Sequence, residues 1–337
     1  MSHQITSTDN MFVVREPSWH GLEATTFAEY PTRAEAQAAA HPWEPVSAPL
    51  FRRVLNPDLT ESFEEVSSHT ALVRSDNDGL LGVVSDTYTP VTNGELYDIA
   101  EAVQGEGADV KLETGGSLKG GSKVWLLLRL NEPLMVPGDP NGATVAYYAL
   151  QNSHDGSTSL RGQATMTRIV CDNTAQAADL DAKQRGTEFV FHHTAKVAQR
   201  IEEAKLALRG WRDSVANWQL QCAALSDIAI NDAQKAWFIH TFIPAPPAKF
   251  QSDRVMANVD KARDELAAIL AGPTCEGING NAYGLVQSAI EYSQHVRTAR
   301  ATTIEGRMES RFKRAYLDRS LYTSSAVELA HAAAEVN

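Results

Sequence analysis

Beyond residue 195 the apolar side chains fall into one register. Val197, Ile201, Ala204, Leu208, Trp211, Val215, Trp218, Cys222 and Leu225 are separated alternately by four and three positions. That spacing puts them on one stripe of a helix. Val255, Val259, Ala262, Leu266 and Ile269 repeat the pattern, as do Leu285, Ala289, Tyr292, Val296 and Ala299. Such stripes must be covered by each other, by a sheet or by a second subunit. Before residue 190 the pattern differs. Strand-like runs occur at 50–55, 70–74, 144–151 and 163–170, with a strand, turn and strand over 80–91. VWLLLRL is continuously apolar, as a central strand requires. Short helices are expected over 33–41, over 94–103 behind an Asn93 cap, and after Asn173-Thr174.

Strands followed by helices give an α+β chain. We expect a mostly antiparallel sheet with hairpins in the N-terminal half, followed by a helical C-terminal region. The corresponding domains are a 1–190 α+β core and a 191–337 helical region that packs on the core or on a neighbouring subunit.

The chain is 43% hydrophobic and 21% charged, the balance of an ordinary globular protein. No apolar run approaches the roughly 18 residues of a membrane span, and MSHQITSTDN has no signal-peptide pattern. Cys171, Cys222 and Cys275 are too scattered for a disulfide framework or zinc ribbon, so a cytoplasmic setting is expected. The net charge of −12 excludes a global positive field for nucleic acid. A local basic stripe is still compatible with it, because phosphates respond to charge within a screening length. Residues 295–319 supply such a stripe, with seven basic side chains against three acidic ones. Arg297, Arg300, Arg307, Arg311, Lys313 and Arg314 are its candidate phosphate contacts, joined by Lys119, Lys123, Arg161 and Arg168.

Other motifs offer chemistry or its bland counterpart. His154-Asp155 lies between two strands. An adjacent His-Asp pair ligates metal in some phosphohydrolases, but Asp155-Gly156 is also a two-residue hairpin code. His192 and His193 follow the apolar FVF. Neighbours on a strand point to opposite faces, which makes one histidine core and the other exposed. GGSLKGG (115–121) has the composition of a phosphate cradle without its spacing, and reads as a hairpin tip. Trp19, His20 and Tyr88 are further residues that can face a ligand. No catalytic motif stands out, and neither a cofactor nor a bound metal is expected.

Several stretches taken together resemble a known family. PSWHGL (17–22), LGVVSDTYTPVTN (81–93), ETGGSLKGGSKVW (113–125), NSHDGS (152–157), RIVCDNT (168–174) and HHT (192–194) are similar, in order, to the blocks of the phage/plasmid-like family of unknown function. Glu23 departs from that pattern where a glycine is usual, and His192 where an arginine is. The resemblance implies a phage or plasmid origin and action in the cytoplasm of the host cell, and supplies no activity.

Three functions are compatible with these features. The first is nucleic-acid handling in replication or recombination, such as single-strand DNA binding or annealing by a homo-oligomer. Single-strand annealing proteins provide an analogy at the level of architecture. The second is a metal-binding or hydrolytic enzyme centred on His154, Asp155 and His193, with Cys171 and Asp172 nearby in sequence. The third is a self-assembling or host-interaction protein without catalysis.

Overall fold

In a computed structural model, the structure describes residues 9–15, 24–104, 110–130, 133–136, 138–168, 173–176, 188–207, 211–297 and 321–336. The fold is α+β, with mostly antiparallel strands in the N-terminal half and helices in the C-terminal region. Contacts divide the chain into two compact units. The first comprises residues 1–129, 148–163 and 183–211; the second comprises 130–147, 164–182 and 212–337. The chain passes between them more than once.

In the first unit, strands β1 (Met11–Val14) and β2 (Thr25–Phe27) pair in parallel. β1 pairs antiparallel with β6 (Val110–Leu118). Next in the sheet come β7 (Lys123–Leu130), β9 (Ala143–Ser153) and β10 (Leu160–Arg168), with β12 (Glu188–Phe191) on the outer side of β10. The apolar run Val124–Leu128 is fully buried, as expected for a central strand. Helix α1 (Arg33–Ala40) starts at a capping box made by Thr32 and Glu35. Helix α2 (Asn93–Gln104) buries Leu96, Ile99 and Val103. A separate antiparallel sheet has the order β3 (Pro45–Leu55), β4 (Glu61–Arg74), β5 (Leu80–Ser85). Pro45 and Pro49 sit on its edge strand, the one place in a sheet where a missing N–H does no harm.

In the second unit, β8 (Leu134–Met135) pairs with the start of β9, and β11 (Asn173–Gln176) pairs with the end of β10. The helices are α4 (Trp211–Ser226), α5 (Asp232–Phe242), α6 (Asp253–Leu270), α7 (Ala282–Glu291) and α8 (Leu321–Ala334), while α3 (Val197–Ala207) belongs to the first unit. Helix α7 is buried from Ala282 to Ile290 and packs against α5, α6 and α8. The Gln234 amide joins α5 to the end of α8 by donating to the Ala334 and Val336 carbonyls. The heptad seam is consumed inside the chain: Val197, Ile201, Val215, Trp218, Cys222 and Leu225 are all buried.

Four sequence expectations change in detail. Gly115 and Gly116 lie within β6 and not in a loop. A Cβ on Gly115 would sit 2.4 Å from Leu126 Cδ2 and 2.9 Å from Phe12 Cε1, so the glycines serve close strand packing. Only β5 forms within 80–91; residues 88–92 are an extended connection without a ladder. Residues 173–176 form a strand because β10 offers them its open edge, so no helix starts at Asn173-Thr174, while the rest of the expected helix lies outside the described residues. Of the seam from 197 to 225, residues 197–207 lie in α3 and 211–225 in α4, with 208–210 outside the described residues, and α7 ends in a π-helical turn, Tyr292–Val296.

Candidate functional site

LGVVSDTYTPVTN, the end of ETGGSLKGGSKVW, NSHDGS and HHT converge in the first unit around His154, whereas PSWHGL and most of RIVCDNT lie outside the described residues. The His154 ring is wholly buried. Its backbone N–H donates to the Ser122 carbonyl at 2.8 Å, at the end of the glycine-rich turn. The Ser122 hydroxyl donates to the Leu81 carbonyl on β5 at 2.6 Å. Gly82 lies directly over the loop, where a Cβ would come within 2.5 Å of Asp155 Cα. No larger residue fits between β5 and the 154–159 segment without displacing backbone.

The connection between β9 and β10 is a six-residue loop, and the two-residue turn expected from Asp155-Gly156 does not form. Gly156 has φ +70°, but Asp155 does not adopt the second positive φ that such a turn needs. Instead Asp155 Oδ1 accepts from the Ser157 N–H, and Ser153 exchanges hydrogen bonds with Thr158 through its hydroxyl. The extra residues turn His154 inward, not toward an exposed tip.

Hydrogen-bond bookkeeping fixes the His154 tautomer. Asn93 Nδ2 donates to the Trp43 carbonyl at 2.6 Å, which leaves Asn93 Oδ1 facing His154 Nε2 at 3.1 Å. Nε2 must therefore carry the proton. Nδ1 is then a bare acceptor, with no hydrogen-bond partner among the described residues. Burial pushes the His154 pKa down to about 3, helped by the neighbouring His193 and His41 rings. The Trp43 ring meets His154 edge-on at 5.6 Å and carries the Arg74 guanidinium 4.6 Å from its centroid. Arg74 is itself buried and pairs with Asp76 at 2.7 Å.

His41 repeats the arrangement. Its Nε2 donates to the Gly116 carbonyl at 2.9 Å, so Nδ1 accepts from the Tyr97 hydroxyl at 3.1 Å. Burial lowers its pKa to about 4. On the other side of the cluster, the Tyr88 ring stacks on His193 at 4.5 Å, and its hydroxyl donates to the Ser153 carbonyl at 2.7 Å. His193 Nδ1 lies 3.2 Å from the Thr89 carbonyl, while the Thr89 N–H donates to the His193 carbonyl at 3.1 Å. Burial lowers the His193 pKa as well, against the carbonyls of Thr89 and Thr158, which favour its protonated ring. Asn152 donates to the Val91 carbonyl at 3.1 Å. One expectation about these residues can be read directly: His193 is buried and His192 is exposed. Tyr88 stacks on His193 and bonds the Ser153 carbonyl beside His154, a grouping the sequence did not suggest.

The glycine-rich turn has its own anion. Lys119, Gly120 and Gly121 all have positive φ, at 57°, 70° and 100°. This backbone aims successive N–H groups at one point, as an anion-binding nest does. The Asp9 carboxylate occupies it, accepting from the Gly120 and Gly121 amides and from the Ser117 hydroxyl, each at 2.9 Å. The amides that would hold a phosphate are thus already satisfied within the chain. Lys119 is exposed beside them and Lys123 is half-buried.

Arg161 is half-buried on β10 opposite Val190, and Arg168 pairs through its backbone with Asn173. Arg297 is exposed. Trp19, His20, Cys171, Asp172, Arg300, Arg307, Arg311, Lys313 and Arg314 lie outside the described residues. Among the described residues, no group of three or more His, Cys, Asp or Glu side chains is placed to hold a metal ion. No helix there is long and apolar enough to cross a membrane. Burial raises the Cys222 thiol pKa, the opposite of what a nucleophile needs.

Three contributors were not anticipated from sequence. Trp43, between prolines, gave no signal. Asn93 was read as a helix cap. The cap is Thr92, whose hydroxyl accepts from the Glu95 N–H at 3.1 Å while Glu95 accepts from the Thr92 N–H at 2.7 Å. The T-x-x-E pattern of Thr92 and Glu95 is the signal for that box, and it leaves the Asn93 side chain free for His154. Glu44 is the third: its carboxylate accepts from the Asn93 and Gly94 amides at 2.6 and 2.9 Å, completing the first turn of α2.

No curated protein and no solved structure matches the chain. One family model does, over residues 80–316, which is more than half of the chain and includes most of the segments that surround His154. The chain therefore belongs to the DUF932 family, a domain of unknown function.

Proposed function

We propose that this protein binds single-stranded nucleic acid in phage or plasmid replication or recombination, inside the host cell, and that the His154 cluster holds the fold together without performing chemistry. The observation that carries the first part is charge segregation. Residues 295–319 hold seven basic side chains against three acidic ones in a chain of net charge −12. Concentrating cations this way is unfavourable for solubility alone and favourable for a phosphate backbone. Arg297 to Arg314 are the principal contacts in this reading, with Lys119 as an outlying one. The phage or plasmid setting comes from the sequence resemblance. Supporting the second part is the closure of the site: His154 is sealed from solvent and neutral.

The test is binding of a labelled single-stranded oligonucleotide by the full chain, scanned in salt, with duplex as comparison. The expected result is binding that weakens steeply as salt rises, by about tenfold or more for a few-fold change in concentration if several phosphates are contacted. Replacing Arg311, Lys313 and Arg314 by Gln is expected to flatten the salt dependence. Absence of binding at low salt, where attraction is greatest, overturns the proposal.

A further inference from the structure

The turn between β6 and β7 has Lys119 and Gly120 as its central residues, both at positive φ, and the Gly121 N–H donates back to the Leu118 carbonyl at 3.2 Å. Such a turn ordinarily opens on Asn, Asp or Gly, which tolerate a positive φ. This chain puts a lysine there, at φ 57°. A lysine in that conformation is strained, and strain of this kind clusters at ligand-binding sites. The Lys119 side chain is exposed, next in sequence to the two amides that hold the Asp9 carboxylate. The turn is also pinned from behind, where a Cβ on Gly121 would come within 2.6 Å of Trp43 Cζ2. Its donors are therefore set in advance of any ligand.

Asp9 reaches this turn from beyond the end of a strand. The β1–β6 register pairs Met11 with Gly116, and Asn10 exchanges hydrogen bonds with Ser117. Asp9 is the next residue out, half-buried and past the last ladder pair. Its carboxylate can swing away without breaking any pair of that ladder. The two carboxylate oxygens stand where two phosphate oxygens would: one accepts from Gly120, the other from Gly121 and the Ser117 hydroxyl. We infer that the glycine-rich turn is a binding site for a phosphate group, and that Asp9 is its internal plug. Phosphate takes the same three donors and gains the Lys119 cation. Two adjacent amides, a hydroxyl and an ammonium are all donors, which suits an anion with several oxygens. Because the tethered carboxylate competes at a high effective concentration, the parent chain holds phosphate weakly. The inference deepens the nucleic-acid reading, in which the strand supplies the phosphate, but the site itself is tested without nucleic acid.

The experiment is an NMR titration of the full-length protein with inorganic phosphate at constant ionic strength, following the Gly120 and Gly121 amides in the parent and in Asp9→Ala. In the parent these amides are expected to move little. In Asp9→Ala they are expected to shift saturably, with phosphate bound about tenfold or more tightly than by the parent. Adding Lys119→Gln to that variant is expected to reverse much of the gain. Should Asp9→Ala unfold, Asp9→Asn serves in its place, since it keeps the side chain's shape and loses its charge. A second arm uses oligothymidylate without terminal phosphates. Shifts of the same amides there assign the site to a strand, and shifts with inorganic phosphate alone assign it to a small phosphate compound; either supports the site. If phosphate moves these amides while no strand binds anywhere on the protein, only the nucleic-acid reading is lost. Amides that stay still in every folded Asp9 variant overturn the proposal, and so does a parent that binds phosphate as tightly as the variants do.

Discussion

Urea unfolding of this protein is expected to become much easier between pH 7 and pH 5. His41 and His154 are held neutral in the folded state, with pKa values of about 4 and about 3. In the unfolded chain a histidine titrates near 6.5. Below that value the unfolded state takes up protons that the folded state refuses. The stability these burials provide is complete above pH 6.5, is lost as the pH falls, and continues to fall until about pH 4 for His41 and pH 3 for His154. From pH 7 to pH 5 each ring contributes a loss of about 2 kcal/mol, so the pair contributes roughly 4 kcal/mol. His193 shifts in the same direction and adds to it. Glu44 shifts oppositely, since burial raises its pKa, and it offsets part of this loss as the pH falls. Stability that stays level between pH 7 and pH 5 contradicts neutral burial of the two histidines.

Trp43→Ala is the substitution expected to cost most. The ring is almost fully buried, meets His154 edge-on, supports Arg74 on its face and lies against Gly121 so closely that a Cβ there would be 2.6 Å away. Removing a packed indole leaves a cavity worth about 3–5 kcal/mol. It also leaves the buried Arg74 with fewer neighbours, so the upper end of that range is expected. The measurement is the change in unfolding free energy at pH 7, set beside His192→Ala. His192 is exposed, and its loss is expected to change stability by less than about 0.5 kcal/mol. Equal effects from the two substitutions contradict a central role for Trp43.

How far the sequence revealed this molecule depended on the range of the interaction. The α+β order, the central strand at Val124–Leu128 and the helical register after Val197 came from local periodicity, which survives in the fold because it dictates which face is buried. The Thr92–Glu95 box was equally local. The His154 cluster was not. Its members Trp43, Asn93, Asn152 and His193 come from distant segments, and each alone reads as an ordinary core, cap or strand residue. Asp155-Gly156 shows how a local code can mislead. It belongs to a turn, but the Ser153–Thr158 exchange lengthens the loop and buries the histidine beside it. The glycine-rich stretch, read as a hairpin tip, does turn between β6 and β7, but the anion it holds was not legible locally. Its occupant, Asp9, lies more than a hundred residues away along the chain.

The account stands most directly on the state of one ring. Nitrogen chemical shifts of selectively labelled His154, followed by NMR from pH 8 to pH 5, report its tautomer and charge together. The expected result is a neutral ring across the range, with the proton on Nε2 facing Asn93 and an unprotonated Nδ1. Titration near pH 6.5, a proton on Nδ1, or a shift typical of a metal-bound nitrogen would contradict a sealed structural cluster and return His154 to the chemistry of a working site.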